Sequence, residues 1–301
     1  MGHADFYYKS FLKIFLAVLG FIFVVFFGLI IVKAIPGFRF EGWSFFTTAN
    51  WIAPESFGAL QLILATLVTT LMALCVAVPI GIGAAVAIVY LVPKSLKILV
   101  SSIVGILASV PSIIYGVWGV FVIVHFSGYH LEPWLASVFH GHWPATGAPR
   151  AFGILAGGIV LSVMILPIVI AVGASVLETV PEETTEAAYA LGSTKSRVIR
   201  KVILPRARGG LTGAVLLGTA RALGETIALA TILGSASTGQ LPFNLFATGG
   251  TLASSIATDF SGFAEPTFEM LLCLGVCLIV ITFTTGAIGR NLVAKQARRY
   301  L

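Results

Sequence analysis

The chain has 301 residues, 58% of them hydrophobic and only 10% charged, with a net charge of +6. That balance is the reverse of a soluble domain's and marks a polytopic membrane protein. It excludes a large soluble domain. The basic residues flank apolar stretches, so their expected partner is membrane lipid and not nucleic acid.

A helix needs about 20 apolar residues to cross a bilayer. The first window to meet this, 14–34, is too long for a signal-peptide core and has no clear small-residue cleavage site; an uncleaved anchor is expected. Residues 36–56 then lie outside. Window 57–92 predicts one long tilted helix, or a helix with extra interfacial turns. Window 98–126 predicts the third span, with Pro111-Ser112-Ile113-Ile114-Tyr115-Gly116 near its middle placing a hydroxyl and a phenol at membrane depth. After an outside segment, 127–150, come a fourth span over 151–177, an inside loop over 178–208 and a fifth span over 209–234. Segment 235–267 carries Gly249-Gly250-Thr251 and many small and hydroxyl residues, compatible with a partly helical stretch that dips into the membrane. The sixth span is 270–289. The fold class is therefore all-α, with six transmembrane helices and no internal repeat. It divides into an anchor and outside loop (1–56), a core of five spans (57–289) and a tail (290–301).

Lys and Arg positions orient the bundle. With the N-terminus in the cytoplasm, Lys33, Arg39 and Arg150 fall outside and Arg221 lies in the membrane. The other 14 of the 18 basic residues fall inside. This positive-inside bias puts both termini in the cytoplasm. Trp43, Trp51, Trp134 and Trp143 suit the membrane–water interface. Pro79, Pro111 and Pro167 fall inside spans and predict kinks, either around a pathway or for packing. Cys75, Cys273 and Cys277 sit in apolar spans, where a buried, inert role is expected. His125, His130, His140 and His142 cluster outside and are expected at the interface, with no metal bound.

Arg221 and Glu225 are charges at membrane depth, where side chains usually face a protein interior or a water-filled path. Their spacing of four puts them on one helix face, about one turn apart. They read as a packing salt bridge or as a polar element of a transport pathway. Thr212, Thr219 and Thr226 form a heptad-spaced stripe on the other side, fit for helix packing.

The inside loop begins acidic, at Glu178, Glu182, Glu183 and Glu186, and turns basic after Gly192. A short helix over 179–191 is expected, starting near Pro181, with its acids complementing the helix dipole and Gly192 ending it. Ser193 or Thr194 is placed to cap a second helix over 195–204, stopped by Pro205. The loop is either a solvated amphipathic stretch or a smooth helix fit to dock in a partner's groove.

Glu186-Ala187-Ala188, Gly192 three residues on, and Val202-Ile203-Leu204-Pro205 nine residues further resemble the EAA loop of ABC importer permeases, with Val202 where Ile is usual. Two further segments, Pro111-Ser112-Ile113-Ile114-Tyr115-Gly116-Val117-Trp118-Gly119 and Arg221-Ala222-Leu223-Gly224-Glu225-Thr226, look like the high-affinity phosphate importer permeases. Trp51-x-x-Pro54 with Phe57-Gly58, the Tyr115–Trp118 form and residues 252–256 favour the PstC-type subunit over the PstA-type. The resemblance covers the chain from about residue 45 onward.

It implies the type I ABC permease fold in a bacterial cytoplasmic (inner) membrane. Further implied are a second homologous permease subunit, a dimeric ATP-binding subunit and an external phosphate-binding protein. Glu186, Ala187, Ala188, Gly192, Ser193 and Thr194 would then meet the ATPase. Arg221, Glu225, Ser112 and Tyr115 would line the substrate path of alternating access. The chain has no Gly-x-x-x-x-Gly-Lys-Ser/Thr loop. ATP and Mg are accordingly expected on the partner, and no catalytic residue or cofactor is expected here. The other readings are the sister permease, a permease for sulfate or molybdate, an ion-coupled secondary transporter using Arg221 and Glu225, and a metalloenzyme using His140 and His142. The secondary transporter leaves the EAA spacing unexplained, and no convincing acidic partner motif accompanies the histidines.

Overall fold

The computed structural model describes residues 3–52, 55–145, 151–234, 241–260 and 267–297. Pro54, Arg150, residues 235–240 and 261–266 of the fifth-to-sixth-span connection, and the tail from 298 lie outside the described residues. Five described helices are long and apolar enough to cross a membrane, and a bent pair makes a sixth.

Helix α1 (His3–Glu41) runs on through Pro36, past the expected end of the first span. Its last turns lie close to the final helix: the Cys273 thiol donates to the Ala34 carbonyl at 3.2 Å. A short helix α2 (Ser44–Thr47) and a two-residue antiparallel hairpin, β1 (Trp51–Ile52) with β2 (Ser56–Phe57), follow. Glu41 ties them down, accepting from the Ser44 hydroxyl at 2.7 Å and the Phe57 amide at 3.2 Å. Trp51, expected at the interface, is instead buried, because its indole N–H finds Asp259 Oδ2 at 2.9 Å. Trp43, Trp134 and Trp143 are exposed.

Helix α3 (Leu60–Tyr90) is a single helix through Pro79, about 46 Å long at 1.5 Å per residue, more than the ~30 Å hydrocarbon core. The expected third span is corrected. Helix α4 (Lys94–Ser109) stops at Val110 and Pro111, both extended, and a new helix runs from Ser112 to Val138. A proline disfavours helical geometry in the residue before it. The new helix comprises α5 (Ser112–Trp118), wider π turns at Gly119–Val124 and Ser127–Leu131, and α6 (Glu132–Val138). Ser112 and Tyr115 therefore sit at the start of a span, not in its middle.

Helix α7 (Ile154–Glu178) is the centre of the bundle, with 72% of its apolar window buried against no more than 33% for the other unbroken spans. It packs on α3, α4 and the two halves of the broken span. A Cβ on Gly81 would lie 2.7 Å from Val169, so the α3–α7 approach depends on a small residue there.

Two short helices, α8 (Glu182–Ala190) and α9 (Lys195–Val198), form the loop. A π turn, Ile199–Ile203, joins α9 to α10 (Leu204–Leu223), so the expected stop at Pro205 does not occur. Pro205 falls where the hydrogen-bond pattern changes, at the start of α10, where a missing amide is tolerated. Next come α11 (Ile227–Leu233), α12 (Leu252–Asp259) and α13 (Thr267–Ala297). Thr251 and Ser254 form a capping box on α12, giving the connection its helical part. Residues 245–248 fold back over the bundle: Ile154 and Leu155 donate to Ala247 and Leu245, and Gln61 donates to Thr248. Cys273 and Cys277 are buried, but Cys75 is exposed, contrary to expectation. An apolar span residue needs only lipid to cover it. Among the described residues no group of three or more His, Cys, Asp or Glu side chains converges as a metal site would require.

Candidate functional site

The span holding Arg221 and Glu225 is broken. Helix α10 ends at Leu223, α11 starts at Ile227, and the two are bent by 56° across Gly224, Glu225 and Thr226. The single continuous helix expected over 209–234 is corrected on this point. Gly224 is a weak helix former. Glu225 then supplies the alternative to helix: its Oε1 accepts the amide of Ala228 at 3.2 Å, satisfying one of the orphan donors at the start of α11. Thr226 lies in the break, off the expected stripe, with its hydroxyl bonded to the Gly224 carbonyl at 3.1 Å. The Thr212 and Thr219 hydroxyls donate to carbonyls one turn back in α10.

The other Glu225 oxygen faces Arg221, with Nη2–Oε2 at 3.5 Å. The two ends of this pair differ: the Glu225 side chain is 2% exposed and that of Arg221 46%. The carboxylate is held inside, and the guanidinium stands at the edge of an open face. At 3.5 Å the contact is longer than a tight charge-assisted hydrogen bond. Among the described residues Glu225 is the ion-pair partner of Arg221, and one contact leaves most of the five guanidinium donors for another anion.

Helix α5 crosses α11 just past the break. A Cβ on Gly116 would lie 2.5 Å from Thr231 Oγ1 and 2.9 Å from Ala228 Cα. Tyr115 packs its ring in the core between α5, α7 and α11, and its hydroxyl donates to the Leu107 carbonyl of α4 at 2.8 Å. It braces the turn at Pro111. Ser112 is half-buried. No hydrogen bond joins either side chain to Arg221 or Glu225 among the described residues.

The loop region is a separate site. Helix α8 begins after Pro181 with Glu182 and Glu183 in its first turn and ends at Gly192, whose φ of +75° favours glycine. The Gly192 amide bonds Tyr189 and that of Ser193 bonds Ala188, closing the end as expected. Thr194 takes the cap position of α9, yet neither it nor Ser193 makes a side-chain cap, so that expectation fails; Thr194 and the first residues of α9, Lys195 to Arg197, are exposed. Glu186 and Ala187 face outward with Tyr189 (44% exposed) and Leu191 (87%). Ala188 turns inward onto the apolar cluster around Val198 and Ile203.

Cavities of about 650 Å³, beside Thr184, Lys201 and Arg206, and about 410 Å³, beside Lys94, Lys97 and Glu186, flank the loop. Sequence reasoning missed the contacts that hold its root: Lys97 Nζ meets Glu178 at 2.9 Å, and the Tyr90 hydroxyl donates to the Leu177 carbonyl at 3.0 Å. It also missed Glu132, fully buried in α6, which accepts from the Ser127 hydroxyl and the Ala151 amide, each at 3.1 Å. A lone acid in a predicted outside segment carries no periodic signal.

A model of the family described as "binding-protein-dependent transport system inner membrane component" matches residues 77–298. The phosphate transport system permease protein PstC of Haemophilus influenzae is 39% identical over 264 residues, 86% of this chain and 82% of that one. The protein of the same name from Mesorhizobium japonicum is 37% identical over 260 residues, covering 84% and 79%. Among solved structures, a chain of the MetNI methionine ABC transporter in inward-facing conformations superposes with a TM-score of 0.54 at 20% identity, over 79% of this chain and 94% of that one. That likeness speaks to the fold. A bundle of apolar spans, an EAA pattern on an exposed loop and a match across most of the chain have one reading: this is a multi-pass inner-membrane protein that belongs to the family of binding-protein-dependent transport system inner membrane components.

Proposed function

We propose that the chain is the permease subunit of an ATP-driven importer that carries inorganic phosphate across the cytoplasmic membrane by alternating access. The carrying observation is the break in the fifth span, where a buried Glu225 holds a half-exposed Arg221. The names of the relatives support phosphate as the substrate. Arg221 offers a fixed cationic fork to a phosphate oxyanion. Both Glu225 oxygens are engaged, which favours a holding role over that of an acceptor for a protonated phosphate. Ser112 and Tyr115 shape the wall through α5.

Both termini are placed in the cytoplasm by the distribution of basic residues. Residues 57–289 form the permease core, with 1–56 an anchor and outside loop and 290–301 a tail. The exposed face of α8, with Glu186 and Ala187, and the turn at Gly192, Ser193 and Thr194 meet a dimeric ATPase that binds ATP and Mg. Ala188 seats that helix on the bundle. A second homologous permease completes the pathway, and an external phosphate-binding protein delivers the substrate.

The test is ATP-driven uptake of phosphate and of sulfate by vesicles holding the full complex. Arg221→Gln is expected to abolish phosphate uptake while the complex assembles and hydrolyses ATP. Unchanged uptake would make the pair structural. Sulfate transport by the wild type would move the substrate to another oxyanion. Gly192→Ala places a Cβ at positive φ, at a cost of about 1–2 kcal/mol, and is expected to lower the phosphate carried per ATP hydrolysed. Normal coupling in that variant would remove the loop from the ATPase contact.

A further inference from the structure

Between α1 and α13 lies a groove of about 640 Å³, lined by Phe27, Leu278, Ile279, Phe283 and Gly286, with Arg290 at one end. Its walls are almost wholly apolar. The two helices are closely packed further along, at Ala34 and Cys273. From Phe27 back to Phe11, however, every residue of α1 is exposed. The groove is the wedge left where the helices cease to touch.

Arg290 is the first charge past the apolar part of α13. Its guanidinium lies 5.8 Å from the centre of the Phe283 ring, a cation–π distance that aims it along the groove. No carboxylate among the described residues forms an ion pair with Arg290. From Leu278 to Arg290 the helix rises about 18 Å, close to half of a ~30 Å hydrocarbon core. An apolar slot one leaflet deep with an unpaired cation at its mouth has the chemistry of one ligand class.

We propose that this groove binds an anionic phospholipid, with the headgroup phosphate on Arg290 and an acyl chain along Phe27, Leu278 and Phe283. The site lies at the basic end of the bundle and is independent of the transported substrate. Free phosphate satisfies the arginine but leaves the apolar slot empty. The bound lipid fills the wedge and fixes the N-terminal part of α1 relative to α13.

The experiment is native mass spectrometry of the purified full complex with phosphatidylglycerol or phosphatidylcholine added in equal amounts. The wild type is expected to retain phosphatidylglycerol preferentially. Arg290→Gln should lower that retention about fivefold, the equivalent of the ~1 kcal/mol that one basic residue contributes near an anionic surface. A Cβ at Gly286 meets nothing within 4 Å, so Gly286→Leu fills the slot without straining the helix and keeps the charge. It should lower retention at least as far. Retention unchanged in either variant overturns the proposal. A Thr282→Cys complex provides an independent check: cross-linking of this position to a neighbouring protein chain, in place of a reactive lipid, would mean that protein covers the groove and would also overturn it.

Discussion

Helix α7 and the α10–α11 span are both apolar, of similar length, and packed on each other at the centre of the bundle. The one with a proline inside it is unbroken: α7 passes Pro167 from Ile154 to Glu178. The one that bends by 56° has no proline at the bend. A proline removes one amide donor, and buried neighbours close over the gap. Glu225 does more, because its carboxylate gives an amide of α11 a new acceptor while turning its other oxygen to Arg221. A helix in a dry interior is interrupted where something else satisfies its backbone. The span proposed to line the pathway is therefore marked by a competing acceptor at its break, and α7 keeps its helix past Pro167.

The largest effect expected from this contrast is at Glu225. Glu225→Ala removes both the cap and the counter-charge. Lost caps cost about 1 kcal/mol, and phosphate uptake should fall beyond detection. Glu225→Gln keeps an oxygen for the Ala228 amide and discards only the charge. It should melt close to the wild type yet transport poorly, with its phosphate-over-sulfate preference reporting any acceptor role. Equal melting temperatures for the Ala and Gln variants would show that the carboxylate does not hold the break. A smaller effect is expected at Gly116, where α5 crosses α11. Gly116→Val pushes methyl groups against Thr231 and Ala228, an overpacking worth about 1–3 kcal/mol. Uptake should drop several-fold, with ATP hydrolysis retained. Gly81→Val, the matching insertion between α3 and α7, should destabilise the complex by a similar amount without changing the phosphate carried per ATP. If the two glycine variants behave alike, the α5–α11 crossing is ordinary packing.

Much of the fold was legible in the sequence for physical reasons. Apolar length gave the number of spans, because lipid demands it. Glu182, Glu183 and Gly192 gave α8 its ends, because dipole and positive φ demand them. Three errors in the helix boundaries share one cause. Pro111 is a span boundary where a kink is predicted, Pro205 sits in the first turn of α10 where a stop is predicted, and 209–234 is broken where a continuous helix is predicted. In each case periodicity reports how apolar a stretch is and says nothing of which backbone groups find partners. The pairing of Arg221 with Glu225 was visible from spacing alone. Their opposite burial, the cap on Ala228 and the bond from Tyr115 to α4 depend on neighbours distant in sequence.

The smallest effect is expected at Pro167. Proline costs about 3 kcal/mol relative to alanine inside a water-exposed helix, but here the helix is already unbroken and the ring is buried. Pro167→Ala restores one backbone hydrogen bond, worth about 1 kcal/mol. It also removes two ring carbons from a packed site, at roughly 0.8 kcal/mol for each buried methylene. The two terms nearly cancel, so the melting temperature of the complex should barely move and uptake should stay within about twofold of wild type. A collapse of uptake in an assembled, ATP-hydrolysing Pro167→Ala complex would mean that α7 bends during transport. The contrast between a moving span and a fixed one would then fail, and the pathway would have to be redrawn with α7 as one of its moving walls.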